Sequence, residues 1–221
     1  AYTFDELFEN VKKLPFEKWI GKTDAFPVAL GHSVKSKLFS TRDCQSIIKK
    51  AAAERLKEVY KVSYCEETGA EYKIRFMILN DTVSVYIDTS GPSLHKRGYR
   101  QKSNQAPIKE TLAAALVYIS RYKGRDLFLD PMCGSGTIAI EAAMLAKDMA
   151  PGLNRRFAFE AWSNVPKKMI KDERDAARSK INDKELKIKC FDIDEECVKL
   201  TKENAEKAGV GKYIQVERLD I

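Results

Sequence analysis

The stretch with the clearest chemical signature runs from Leu127 to Thr137 and has the sequence LFLDPMCGSGT. It places one acidic residue, Asp130, and two close glycines, Gly134 and Gly136, between a strand-like apolar run and a helix-like segment. Glycine tolerates positive φ and lets a ligand approach the backbone closely. The first turn of the following helix offers free N–H groups to an anionic group. The pattern therefore predicts a ligand-binding turn between strand and helix.

The residue types in this turn narrow the class of ligand. The turn lacks the Lys-Ser/Thr ending of a phosphate-binding P-loop and the three-glycine spacing of the dinucleotide fingerprint, so it fits nucleoside triphosphates and NAD poorly. A carboxylate such as Asp130 repels phosphates but pairs with cations. S-adenosylmethionine carries an amino group, a sulfonium and a carboxylate, and it is the ligand that we predict. The alternative is an ordinary glycine-containing turn.

Two further carboxylates follow later strand-like segments. An acidic residue at the second strand end of a Rossmann-like sheet accepts hydrogen bonds from ribose hydroxyls, and Asp192 is the candidate here. Asp192 lies farther from Asp130 than is usual, because an insert from residue 151 to 184 separates the two strands. Asp194 is the neighbouring alternative, although it could simply cap the next helix. Asp220 follows the third strand and could accept a hydrogen bond from an adenine amino group.

Composition limits the classes of protein to consider. The formal charge is +7, with 39 basic against 32 acidic residues, and the excess lies mainly before residue 105, which is compatible with nucleic-acid binding or with a solvated surface. Five scattered cysteines and two histidines favour neither a disulfide framework nor a metal site. No apolar run approaches the roughly 20 residues of a membrane span, and the N-terminus lacks a signal-peptide pattern. We therefore expect a cytoplasmic protein.

Residues 1–90 are predicted to form a small α+β domain. Thr3 and Glu6 make a capping-box pattern at the start of a short amphipathic helix. A strand is predicted at residues 26–30, a second helix at 42–60 after caps at Ser40 or Thr41, and a β-hairpin turning at Asn80-Asp81. Residues 91–106, which are basic and polar, are predicted to be a linker.

Residues 107–221 show strands alternating with helices. Helices are predicted at residues 108–122, 137–147 and 195–208, and strands at 127–129, 186–191 and from about Tyr213 onwards. The insert at 151–184 is predicted to be irregular. This alternation is typical of a parallel, Rossmann-like sheet covered on both faces. The predicted fold class is therefore an α/β domain preceded by the smaller α+β domain.

Six segments in order carry a resemblance to a known family: SVKSKLFSTRDCQSIIKKA, LHKRGYR, APIKETLAAAL, DPMCGSGTIAIEAA, APGLNRRFAFEAW and FDIDEECVKLTKENAEKAGV. Together they resemble the class I methyltransferases that carry a THUMP domain. The most similar group is the bacterial one related to the 23S rRNA guanine-N2 methyltransferases, whose members are often labelled N6-adenine-specific DNA methylases. The resemblance implies S-adenosylmethionine-dependent methylation of an exocyclic base amine of RNA, with guanine N2 of 23S rRNA as the expected target.

The resemblance also implies a set of cofactor-binding residues: Asp130, Cys133, Gly134, Gly136, Asp192, Asp220 and Thr111. Within that set, Asp192 is similar to the ribose acceptor and Asp220 to the adenine-side carboxylate. Thr111 shares a helix-start motif with Lys109 and Glu110, and this motif lies against the methionine end of the cofactor in the family. Lys109 and Glu110 fit helix initiation equally well. An Asn-Pro-Pro-Tyr-type loop holds the target amine in the family and follows the segment that matches Ile221, so we predict no catalytic residue here.

RNA contact is predicted for the basic turn at residues 34–37 and for one face of the second helix, with Lys35, Lys37 and Lys49 as the phosphate-binding residues. A merely solvated charged face is the alternative. The segment 95–100, HKRGYR, is expected either to touch RNA or to brace the joint between domains. Two other functions stay open: a DNA adenine-N6 methyltransferase, and a non-catalytic RNA-binding protein on a methyltransferase scaffold.

Overall fold

The computed structural model describes residues 1–100 and 107–220 and contains two compact units. The first unit comprises Ala1–Gly91 together with Phe157–Lys167, and the second comprises Pro92–Arg156 and Lys168–Ile221. Nothing in the sequence pattern indicated that residues 157–167 belong with the first half of the chain. None of the helices in the described ranges is long and apolar enough to cross a membrane.

The first unit is an α+β fold around a three-stranded sheet. Its elements are α1 (Phe4–Lys12), β1 (His32–Val34), α2 (Thr41–Tyr60), β2 (Ile74–Leu79) and β3 (Thr82–Ile87), with a 3₁₀ turn at Phe16–Lys18. In the sheet, β2 lies between a parallel β1 and an antiparallel β3. The hydroxyls of Thr3 and Ser40 cap α1 and α2, and Asn80 and Asp81 both adopt positive φ in the hairpin turn. The predicted caps and hairpin are confirmed.

The strand predicted at residues 26–30 is wrong. This segment makes one isolated parallel bridge, Val28 to Ile74 at the start of β2, and a second bridge joins Ala25, just before the segment, to Glu71. Pro27 interrupts a regular ladder because proline has no backbone N–H to donate. The strand that pairs with β2 begins later, at His32.

Trp162 anchors the segment 157–167 in the core of the first unit. Its ring stacks on Tyr72 with centroids 4.4 Å apart, and its indole N–H donates to the carbonyl of Glu71 at 2.9 Å. Trp162 and Tyr72 are both buried in the cluster formed by the inner faces of α1, α2 and β2. A part of the predicted irregular insert is therefore a structural component of the first unit.

The second unit contains a parallel sheet, as the sequence predicted. Its elements are α3 (Glu110–Ile119), β4 (Phe128–Asp130), α4 (Thr137–Ala146), β5 (Ile188–Asp192), α6 (Glu195–Ala208) and β6 (Ile214–Arg218). A further helix, α5 (Lys167–Ser179), lies between α4 and β5 in the chain. The strand order is β4-β5-β6, and both pairs are parallel. The predicted α/β fold class is confirmed. The insert is not wholly irregular, because α5 forms within it. No residue of α5 is buried, which accounts for the weak apolar pattern in the sequence of this helix.

The structure differs from the predicted linker at residues 91–106. Residues 92–100 belong to the second unit, where Tyr99 is buried and its hydroxyl donates to Glu141 Oε1 at 3.0 Å. The buried Arg155 guanidinium donates to the carbonyls of Pro92, Ser93 and Lys96. The 95–100 segment therefore braces the second unit, and the buried Tyr99 ring cannot stack on RNA. The rest of the predicted linker, 101–106, lies outside the described residues.

Candidate functional site

The carboxyl ends of β4, β5 and β6 meet at one edge of the parallel sheet. The register pairs Asp130 with Cys190 and Asp192 with Arg218, so Asp130 and Asp192 end neighbouring strands. The backbone N–H of Leu219 donates to the carbonyl of Asp192 at 3.1 Å, which holds the chain beside β5 just before Asp220. The edge therefore carries Asp130 and Asp192 and leads to Asp220, in the order that the sequence predicted.

Residues 130–136 form a tight turn between β4 and α4, which we call the 130–136 turn. Gly134 and Gly136 both adopt positive φ, at 54° and 75°, as expected for glycines in this position. The N–H of Gly134 donates to Asp192 Oδ2 at 2.8 Å, and the N–H of Cys133 donates to the carbonyl of Phe191 at 2.9 Å. Both hydrogen bonds tie the turn to the end of β5.

Two polar residues of α6 form hydrogen bonds to the backbone of the 130–136 turn. Thr201 Oγ1 donates to the carbonyl of Gly134 at 2.9 Å, and Asn204 Nδ2 donates to the carbonyl of Ser135 at 3.0 Å. Thr201 and Asn204 are fully buried. A Cβ added to Gly136 would lie 2.5 Å from Thr201 Cγ2, so glycine is required there by helix packing as well as by its dihedral angles.

Sequence reasoning missed Thr201 and Asn204, although a signal was present. They occupy positions i and i+3 on the face of α6 that also carries the buried Val198, Ala205 and Ala208. A buried polar side chain needs a hydrogen-bond partner, so polar residues on an otherwise apolar helix face indicate a structural or functional contact. Here that contact is the backbone of the 130–136 turn.

Asp130 is buried, with 9% of its surface exposed, and its Oδ2 atom has no hydrogen-bond partner among the described residues. Burial raises the pKa of the Asp130 carboxyl, and the nearby charge of Asp192 raises it further, while a hydrogen bond from the Met132 backbone opposes both. An unsatisfied buried acceptor costs free energy unless a donor reaches it. The site is therefore suited to a cationic donor at Oδ2.

Asp192 has both carboxylate oxygens engaged by backbone donors. Oδ1 accepts from the N–H of Asp194 at 3.0 Å and Oδ2 accepts from the N–H of Gly134 at 2.8 Å. A carboxylate offers about four acceptor positions, so capacity for two hydroxyl donors is left. Asp194 caps α6 by accepting from the N–H of Glu196 at 2.9 Å, which confirms its predicted capping role.

Cys133 makes its side-chain contacts inside the second unit. Its sulfur is buried in the core of the second unit, 3.6 Å from Thr201 Oγ1. A hydrogen bond with Cys190 lowers the pKa of the Cys133 thiol and raises the pKa of the Cys190 thiol. Any contact between Cys133 and a ligand would therefore come from the backbone of Cys133.

The start of α3 is only partly as the sequence predicted. Lys109 is the N-cap residue of α3 but makes no side-chain cap, and Thr111 is exposed. Glu110 is buried and accepts a hydrogen bond from Arg100 Nη2 at 3.0 Å, so its carboxylate serves a structural ion pair. Within the described residues, no hydrogen bond joins Thr111 to the 130–136 turn.

The predicted RNA-binding lysines of the first unit have different surroundings. Lys35 and Lys37 are exposed beside β1, and Lys35 has positive φ. Lys49 is half-buried: its ammonium forms an ion pair with Glu67, donates to the carbonyl of Phe26 at 3.2 Å, and lies over the ring of Phe26. The structure therefore contradicts the expectation that Lys49 lies on a free, exposed face of α2.

Comparison with protein families assigns a description to each half of the chain. Residues 97–221 match the family described as "RMKL-like, methyltransferase domain". Residues 1–88 match the THUMP domain. The resemblance read from the sequence motifs is confirmed by both matches.

Curated relatives and solved structures support the same grouping. The chain is 47% identical over its whole length to "Putative RNA methyltransferase YpsC" of Bacillus subtilis, and 43% identical over 68% of its length to ribosomal RNA large subunit methyltransferase K/L of Shewanella baltica. It covers 58% of the first protein and 22% of the second.

Among solved structures, the chain is similar to a protein of Listeria monocytogenes titled a "predicted N6-adenine-specific DNA methylase", with a TM-score of 0.96 and 48% identity. It is also similar to a protein titled "SMU.472, a putative methyltransferase complexed with SAH", with a TM-score of 0.93 and 40% identity. The matches cover 100% and 99% of this chain and 58% of each of those chains.

Proposed function

Because this chain belongs to the RMKL-like methyltransferase family, we propose that it binds S-adenosylmethionine at the 130–136 turn and serves in methylation of an exocyclic base amine of RNA. The observation that carries the proposal is the buried Oδ2 atom of Asp130 at the carboxyl edge of the sheet, which no described residue hydrogen-bonds. The SAH complex of the similar SMU.472 structure supports the choice of cofactor.

The residues of the site fit the chemistry of this cofactor. Asp130 Oδ2 would accept a hydrogen bond from the cationic amino group, which would remove the cost of its buried, unpaired state. Asp192 would accept from the ribose hydroxyls with the acceptor capacity that the backbone leaves free. Asp220 would serve the adenine amino group. The N-terminus of α4, where Gly136 provides no side-chain cap, would donate N–H groups to the carboxylate.

The contribution of these residues to the reaction is alignment. When bound, the cofactor supplies an activated methyl group, so the protein has to orient it toward the target nitrogen. Holding reacting groups in a productive geometry accounts for about 7–11 kcal/mol of a barrier in well-oriented systems. The hydrogen bonds from Gly134 to Asp192 and from Thr201 to Gly134 fix the turn in place before the cofactor arrives. We assign the holding of the target amine to no residue of this chain.

RNA, specifically guanine N2 of 23S rRNA, is the substrate that we propose. The match of residues 1–88 to the THUMP domain and the RNA methyltransferase names of the relatives support it. The exposed Lys35 and Lys37 would bind phosphates, which position an RNA without reading its sequence. A cytoplasmic location goes with such a substrate. DNA adenine N6 is the second candidate, because a similar solved structure carries a DNA methylase title.

Product identification tests this proposal. Full-length protein is incubated with isotopically labelled cofactor and either unmodified 23S rRNA or DNA, and the nucleosides are identified by mass spectrometry. We expect labelled N2-methylguanosine from RNA, with an Asp192→Ala protein as the negative control. Labelled N6-methyladenine from DNA alone would overturn the proposal in favour of the second candidate. RNA binding without cofactor binding or transfer would instead indicate a non-catalytic scaffold.

A further inference from the structure

Arg100 connects two helix starts that flank the proposed cofactor site. Its Nη1 atom donates to the carbonyl of Ile108 at 2.8 Å, just before α3, and to Thr137 Oγ1 at 3.2 Å, at the first residue of α4. Its Nη2 atom donates to Glu110 Oε2 at 3.0 Å, in the first turn of α3. A single guanidinium therefore joins the beginnings of α3 and α4.

These contacts lie in the interior of the second unit. The side chains of Arg100 and Glu110 are only 11% and 3% exposed. Buried ion pairs with this many satisfied donors hold a defined geometry, because breaking one contact leaves a buried charge without compensation. The planar guanidinium presents its donors in a fixed fork, which a lysine ammonium cannot reproduce.

Thr137 connects Arg100 to the 130–136 turn. The hydroxyls of Thr137 and Ser135 lie 3.1 Å apart, and the carbonyl of Ser135 accepts from Asn204 on the opposite side. The turn is thus held by α6 from one side and, through Thr137, by Arg100 from the other.

We propose that Arg100 is a positioning residue for cofactor binding, which locks the start of α3 to the start of α4 and thereby fixes the 130–136 turn. The inference rests on the proposed function, since it concerns the same site. The three hydrogen bonds of the Arg100 guanidinium described above all go to protein groups, so Arg100 would act on the cofactor through the turn. Its loss should weaken cofactor binding without changing RNA affinity.

The test compares Arg100→Lys with the matched control Arg97→Lys in the full-length protein. Arg97 is a second largely buried arginine of the same segment, and it pairs with Glu141 in the middle of α4, away from the turn. Calorimetry with S-adenosylhomocysteine should show about tenfold weaker binding or more for Arg100→Lys, the effect of losing one charge-assisted hydrogen bond. Arg97→Lys should bind as the wild type does.

Kinetics separate positioning from a general loss of folding. A protein that is merely less well folded has fewer active molecules, so its kcat falls while its KM for the cofactor is unchanged. We expect the opposite for Arg100→Lys, with a raised KM and a kcat near that of wild type at saturating cofactor. Thr137→Val, which removes one hydroxyl at nearly constant volume, should raise the same KM, and the Arg100→Lys Thr137→Val double variant should raise it by less than the product of the two single effects.

Unchanged cofactor affinity in Arg100→Lys, or equal losses in Arg100→Lys and Arg97→Lys, would overturn the positioning role. A kcat defect with an unchanged KM would do so as well. Failure of the proposed function has a different signature, because in that case the wild-type protein itself would not bind S-adenosylhomocysteine.

Discussion

Replacing Asp130 with asparagine should separate the stability of the protein from its affinity for the cofactor. The carboxylate is buried and its Oδ2 atom has no partner in the described part of the chain, so the ionised group is costly in the folded protein. Asparagine has nearly the same shape and no charge. We expect Asp130→Asn to leave the free energy of unfolding unchanged or to raise it by about 1 kcal/mol, the lower end of the cost of an unsatisfied buried polar group.

The same substitution should weaken cofactor binding. A hydrogen bond between a carboxylate and a cationic amino group is worth about 1.5–3 kcal/mol, so the dissociation constant should rise about 10- to 150-fold. Urea denaturation measures the first effect and calorimetry with S-adenosylmethionine the second, both on full-length protein. A variant that is destabilised and binds the cofactor normally would show that Asp130 is a structural residue and not a cofactor ligand.

The pH dependence follows from the raised pKa of Asp130. A carboxyl whose pKa is raised in the folded state stabilises the fold below its ordinary pKa, and that contribution is lost as the pH rises through the raised value. In the proposed site the cofactor binds the ionised form, so affinity should fall as the pH is lowered through the same raised value. Titration calorimetry across this range should show the fall in the wild type and a weaker dependence in Asp130→Asn.

Two other predictions concern packing and RNA contact. Gly136→Ala should lower the free energy of unfolding by more than about 2 kcal/mol in urea denaturation, because its positive φ and its close approach to α6 both disfavour a side chain. Gly209 also has positive φ, but a Cβ added there would lie 3.8 Å from Met149 Cε, an ordinary contact distance. Gly209→Ala should therefore cost only about 1 kcal/mol, and equal costs for the two variants would contradict the packing argument. Replacing Lys35 and Lys37 with glutamine should weaken RNA binding and reduce its logarithmic salt slope by roughly one per lost phosphate contact. Lys49→Gln should leave that slope unchanged, since Lys49 is paired with Glu67, and a flatter slope in this control alone would place the RNA surface on α2.

Features that depend on local sequence were predictable. The α6 helix has the predicted bounds of 195–208 because Asp194 caps its start and Gly209, with positive φ, ends it. The 130–136 turn was recognisable from its glycines and from Asp130, since a strand, a tight turn and a helix are adjacent in the chain.

Features that depend on contacts between distant residues were not predictable from the sequence. Trp162 stacks on Tyr72, which lies far away along the chain, and no local sequence pattern predicts that contact. From the sequence, Arg100 belongs to a basic stretch and Glu110 to a helix start, and no local pattern predicts that the two form a buried ion pair. The helical pattern likewise predicts Lys49 on an exposed face of α2. Its ion-pair partner Glu67 lies beyond the end of that helix and is not part of the pattern.

A crystal structure of the full-length protein with S-adenosylhomocysteine would show whether the 130–136 turn and its neighbouring carboxylates bind the cofactor. We expect the amino group of the ligand within hydrogen-bond distance of Asp130 Oδ2 and the ribose hydroxyls at Asp192. A ligand bound elsewhere, or bound here with Asp130 Oδ2 still lacking a partner, would contradict this expectation.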